Sequence, residues 1–221
     1  MKPFKPPPAV ATNILIGVCI AVQAAMAVGG SGFDAALVQY WGLVPARISA
    51  LVQGLVPVFP AAATLLTSLF LHGGWVHLAL NILFLAWVGR YVEWVVGRGV
   101  LVLLFVAGGI AGGLAQVASD AASLTPIVGA SGAIAAIFGA YAVLFARSRA
   151  SGRRVLGIAV SSEAMTALWY AAVWIGLQLL TGLVMNDGGI GRIAIWTHIG
   201  GFVTGLILIR PWSRGPEPPK A

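Results

Sequence analysis

Residues 76–96 read VHLALNILFLAWVGRYVEWVV and residues 100–118 read VLVLLFVAGGIAGGLAQVA, two apolar runs parted by Gly97-Arg98-Gly99. Each has about the 20 apolar residues that a helix needs to cross a bilayer. Outward from this pair, further runs lie at about 11–29, 131–146, 164–185 and 194–210. Only 9% of the 221 residues are charged and 59% are hydrophobic, whereas a soluble domain carries roughly 25% charged residues. So little polar surface cannot cover a water-facing globule, and the bilayer must be the solvent. The expected fold class is an all-α membrane protein, a bundle of six transmembrane helices occupying residues 11–210. Residues 30–71, with Trp41, Pro45, Arg47, Pro57 and Pro60, are too broken for a span and too apolar for a free linker. They read as an ordered first loop lying in the interface, with room for short helices. The Pro-rich segments 1–10 and 211–221 read as tails. The basic start of the first run also fits a cleaved signal peptide, but its apolar part is longer than a usual signal core.

Charge tests this segmentation independently. Of the thirteen basic residues, six alternating spans put Lys2, Lys5, Arg90, Arg98, Arg147, Arg149, Arg153, Arg154, Arg210, Arg214 and Lys220 on one side, and only Arg47 and Arg192 on the other. That asymmetry obeys the positive-inside rule and makes both tails cytoplasmic. The net charge of +7 therefore reports orientation and gives no reason to expect a nucleic-acid partner. The expected location is a multi-pass position in a bacterial cytoplasmic membrane, in contact with lipid. No oligomeric state is written in the sequence. Cys19, the single cysteine, rules out an internal disulfide and a Cys-rich metal site.

The three helices that enter from the outer side carry nearly all the polar residues of interest. His72, His77 and His198 stand at or just inside their outer starts. Buried polar groups at such depth are costly and mark function by default, although a single histidine often serves as interhelical glue. Gly129-Ala130-Ser131-Gly132 opens the fourth run. A serine there sits among the unpaired N–H groups of a first helical turn, a suitable place for an oxyanion. Its bland reading is an N-cap flanked by packing glycines. The sixth run contains Trp196-Thr197-His198-Ile199-Gly200-Gly201-Phe202-Val203-Thr204-Gly205. Gly201 and Gly205 form a small-xxx-small face with His198 on the same side, and Gly132, Ala136, Gly139 and Ala140 form a matching face. If the two faces pack, His198 reaches Ser131 as a general base for a weak hydroxyl nucleophile. No acidic residue lies at that depth, so the pair would be a dyad. In the second run, His77 and Asn81 are four apart on one face, and both can donate to a tetrahedral oxyanion. His72 falls off that face and reads as structural.

At this point the chain resembles the rhomboid intramembrane serine proteases. The likeness rests on His72-x4-His77-x3-Asn81, on Gly129-x-Ser131-Gly132, and on His198-x2-Gly201-x3-Gly205, in that order and in alternate runs. It spans about residues 65–205, and the six spans are similar to the basic bacterial form. The resemblance implies that Ser131 is the nucleophile and His198 the base, with His77, Asn81 and the Ser131 backbone N–H as oxyanion hole. It further implies that residues 186–192 cap the site, and that the substrates are transmembrane proteins. No cofactor or metal is implied. Thr197 departs from the alanine common in the family, and the first loop lacks the adjacent Trp-Arg pair of some members.

Other classes fit the sequence less well. A binding protein or chaperone without catalysis would share the fold and lack an activated serine. A transporter would show internal repeats and mid-membrane carboxylates. A metal protease would need an acidic residue or cysteine beside the histidines, and none stands near them.

Overall fold

The computed structural model describes residues 9–145, 153–155, 158–160, 165, 169–170, 172–174, 176 and 194–212. Helix α1 (Val10–Trp41) leaves helical geometry only at Gly30, where φ is 80° and ψ 172°. Its part before Gly30 coincides with the expected first span. Its part after Gly30 is helical where the sequence suggested loop, because the carbonyls of its last turn find donors. The Arg47 guanidinium donates to Gln39 O at 2.8 Å and Tyr40 O at 3.0 Å, and Thr67 Oγ1 donates to Trp41 O at 2.8 Å. A cation at a helix C-terminus both satisfies orphan carbonyls and complements the dipole.

The rest of the first loop forms α2 (Pro45–Val52), α3 (Val58–Ala61), α4 (Thr64–Thr67) and a 3₁₀ turn at Ser68–Phe70. It is tied to the segment leading to Ser131. Leu43 N donates to Ile127 O at 3.0 Å, Ile127 N donates back at 2.8 Å, and Ala46 N donates to Ser123 O at 3.0 Å.

Helix α5 (Trp75–Phe84) runs through a π-helical turn, Leu85–Gly89, into α6 (Arg90–Ser119). The 45-residue stretch breaks at Gly97, with φ 80° and ψ 165°. That break lies in the Gly-Arg-Gly step between the two quoted runs. Helix α7 (Ser131–Phe145) is central, with every residue from Gly132 to Ala140 buried. It packs against α6 and against α8 (Ile195–Leu208). Gly108 faces Ala136, Gly201 faces Gly132, Gly205 faces Ala136, and Gly139 faces Phe202, so backbones touch where side chains would keep them apart. In lipid, such close packing replaces the hydrophobic drive that water would supply.

Between α7 and α8, β1 (Arg153–Val155) and β2 (Ile158–Val160) pair antiparallel, Val155 opposite Ile158. The sequence reading assigned this stretch no structure. Its signal was β-branched residues flanking a two-residue link that ends in Gly157.

Among the described residues, Val10–Trp41 and Trp75–Ser119 are long and apolar enough to cross a membrane, and Ser131–Phe145 and Ile195–Leu208 are shorter apolar helices. Of the expected fifth span, 164–185, Trp169–Tyr170, Ala172–Trp174 and Gly176 are helical, and the remainder lies largely outside the described residues. So does the expected cap, 186–192.

One carboxylate locks the start of α1. Glu93, on α6 and 6% exposed, accepts from Ala11 N at 2.8 Å, Thr12 N at 2.9 Å and Thr12 Oγ1 at 2.8 Å. These are orphan donors of a first helical turn, and a negative charge also complements the dipole there. Glu93→Ala strands all three in a buried place. The expected cost is about 3 kcal/mol, the upper range for losing a charged hydrogen-bond partner, read as a lowered unfolding temperature in detergent. Glu93→Gln, which keeps one acceptor oxygen, costs less.

Candidate active site

Four chain segments meet at Ser131, and each is held by an identifiable contact. The residues before it are fixed by Gly129 N, which donates to Ser68 O at 2.9 Å. Gly129 has φ +121°, a conformation that side chains rarely adopt. A methyl group there would also stand 2.8 Å from His77 Cε1 and 2.9 Å from His77 Nε2. The glycine thus lets the chain turn into α7 with the His77 ring edge against it. Gly129→Ala should combine backbone strain of order 1–3 kcal/mol with displacement of His77. The expected result is a folded protein whose turnover falls by roughly 10–100-fold.

From α8, His198 brings Nε2 to 2.7 Å from Ser131 Oγ, within hydrogen-bond distance. With Nε2 unprotonated, the hydroxyl donates. His198 is 5% exposed, and its ring meets Trp174 edge-on with centroids 6.3 Å apart. The approach depends on the glycine faces. Gly201, one turn beyond His198, lies against the Gly132 carbonyl, and Gly205 lies against the Ala136 carbonyl. Thr197, the departure noted in the sequence, is buried between two glycines. Its Cγ2 stands 2.5 Å from where a Gly132 Cβ would be and 3.3 Å from the corresponding point at Gly112. The extra bulk over alanine is accommodated by absent side chains opposite.

From α5 come His77 and Asn81. Asn81 is buried, and Nδ2 donates one hydrogen to His77 O at 2.9 Å, leaving the second for another acceptor. His77 Nδ1 accepts from Gly73 N at 3.3 Å. His72 precedes α5, is 1% exposed, and has Nδ1 3.3 Å from Phe70 O. Its ring meets His77 edge-on at 5.3 Å. Burial first, then the neighbouring His77, push its pKa down to about 4, partly opposed by the Phe70 carbonyl. It is uncharged at neutral pH and packs as the sequence reading supposed.

The structure therefore brings Ser131, His198, His77, Gly129, Gly132 and Gly201 into one site. Asn81 lies one turn along α5 from His77, and Gly205 one turn along α8 from Gly201. Sequence reasoning missed Gly73, Trp174 and Ser68. Trp174 carried no distinguishing signal among eight tryptophans, and the other two act through backbone atoms. Among the described residues, no group of three or more His, Cys, Asp or Glu is placed to hold a metal.

A hydroxyl paired with an imidazole at a helix start, ringed by N–H donors, can perform nucleophilic acyl transfer. The comparisons with known proteins bear on the same segments. Residues 60–214, more than half of the chain, match the family model described as Rhomboid domain. The chain is 33% identical over 147 residues to the protein named Rhomboid protease GluP of Bacillus subtilis (strain 168), covering 66% of this chain and 26% of that protein. It is 33% identical over 113 residues to Rhomboid-related protein 3 of Homo sapiens, covering 50% of this chain and 28% of that protein. With RHOMBOID-like protein 5 of Arabidopsis thaliana it shares 28% identity over 152 residues, 66% of this chain and 44% of that protein. The matches thus cover from about a quarter to less than half of these relatives. Since the family model takes in α4 through α8, and with them the whole serine–histidine site, this chain belongs to the rhomboid family of integral membrane proteins.

Proposed function

We propose that the protein is an intramembrane serine endopeptidase, which hydrolyses peptide bonds at or near the outer end of transmembrane segments in other proteins. The observation that carries this reading is the 2.7 Å separation of Ser131 Oγ and His198 Nε2. Ser131 attacks the carbonyl carbon, and His198 takes its proton and then delivers it to the leaving amine. Water, activated by the same imidazole, releases the acyl-enzyme. The oxyanion is held by the Ser131 backbone N–H, His77 Nε2 and the second Asn81 Nδ2 hydrogen. Such preset donors need no reorganisation as charge develops.

The proposed setting is a six-span bundle over residues 11–210 with both tails, 1–10 and 211–221, cytoplasmic in a bacterial inner membrane. The Glu93 contact supports it, because that topology puts the start of span one and the end of span two on the same side. Ser131 would lie below the outer surface. A 15-residue helix is about 22 Å long, shorter than the roughly 30 Å hydrocarbon layer. The irregular segment before it is tolerable at depth only when covered by protein or wetted. The first loop covers it. A helical substrate must unwind locally, because only an extended segment exposes its peptide bond to the serine. Residues 186–192 are proposed to cap the site.

Labelling of the purified protein by a fluorophosphonate tests this. Label on the wild type that disappears in Ser131→Ala is expected. A folded wild type that takes no label would overturn the enzymatic reading in favour of a binding protein.

A further inference from the structure

A histidine that donates to an oxyanion through Nε2 must carry its proton there, and a neutral imidazole carries only one. Which nitrogen holds it is set by the partner of the other. His77 is the third residue of α5, and Gly73 lies just before the Gly74 cap. The free groups of a helix start are N–H donors. A side chain at the third position commonly reaches back to accept from one of them, as a glutamate does in a capping box. Here an imidazole lone pair takes that part, with Gly73 N donating to His77 Nδ1 at 3.3 Å. The opposite edge of the ring, Cε1 and Nε2, faces Gly129, two residues from Ser131. His72 lies edge-on to the same ring, with its own Nδ1 turned to the Phe70 carbonyl.

We propose that the Gly73 backbone N–H locks His77 in the Nε2–H tautomer, so that the ring is a preset donor toward the oxyanion. Gly73 is thus a positioning residue that acts through its main chain. The inference rests on the hydrolytic reading for its purpose, but its chemistry can be read without turnover. An N–H cannot accept, so a proton on Nδ1 would break this contact and face a lone pair toward the developing negative charge.

The test uses full-length protein labelled with 15N-histidine in lipid nanodiscs, with the His77 signals assigned by their loss in His77→Gln. Wild type should show a protonated Nε2 and a bare Nδ1. Gly73→Pro, which lacks the N–H, should give mixed tautomers and a kcat lower by about ten- to a hundredfold, with KM unchanged. Gly73→Ala is the conservative counterpart. It keeps the N–H, and its added carbon would sit 3.7 Å from His77 Nδ1, an ordinary contact. It should retain the wild-type tautomer and recover the kcat lost in Gly73→Pro. A wild type that cleaves substrate with His77 protonated on Nδ1 overturns the proposal, even if Gly73→Pro fails to fold. A folded Gly73→Pro with unchanged tautomer and kcat overturns it too. A wild type with Nε2–H that neither cleaves nor labels would sink the hydrolytic reading and leave the tautomer assignment standing.

Discussion

Ser131→Ala leaves the protein folded and stops cleavage of a transmembrane test substrate, and His198→Ala does the same. Neither change opens a large cavity or strands a buried charge, so unfolding temperatures should move little. Turnover should fall by roughly 10⁴–10⁶-fold for either single change, as for nucleophile and base in other serine hydrolases. The double variant should be no worse than the singles, because the two residues act as one unit across the 2.7 Å contact. The check is quantitative cleavage in proteoliposomes beside a thermal melt of each variant. Full cleavage by Ser131→Ala would refute the assignment, and additive losses would argue against a coupled pair.

The second large effect is expected from Gly201→Leu. A side chain at this position runs into the Gly132 carbonyl, with Gly132 C at 2.9 Å and Ala135 Cβ at 3.4 Å. Backbone cannot move aside as a flexible side chain can, so α8 must shift away from α7. Overpacking of this kind costs about 1–3 kcal/mol or more. The catalytic consequence is greater, because a displacement of about 1 Å can cost on the order of 10²-fold in rate. His198 sits one turn from the clash, so its contact with Ser131 opens. Gly201→Ala should be milder in both respects. A Gly201→Leu protein with wild-type melting and full fluorophosphonate labelling would show that the two faces do not meet as described.

The first loop and the carboxylate at α1 show where reading the sequence stopped. Pro45, Pro57 and Pro60 announced broken structure in residues 30–71, and short helices are found there. The continuation of α1 to Trp41 was not legible, because Arg47 and Thr67 satisfy its last carbonyls only after the chain folds back. Glu93 looked like an isolated charge near a span end. Its partners lie 81 and 82 residues away, and no local pattern links them. Gly73 was legible only as a turn residue, since its effect is exerted by an N–H that every residue but proline possesses.

The sequence by itself determined the apolar runs, the Gly97 break between two of them, and the residue types at the site. These follow from local chemistry: transfer of side chains into lipid, and the few functional groups able to act there. Tertiary structure alone decided the distance from Ser131 to His198, the glycine contacts that permit it, and the nitrogen of His77 that faces the site. Those depend on where two helices 67 residues apart in their key side chains come to rest. Spacing along a chain does not encode a gap of a few ångströms between faces that packing alone brings together.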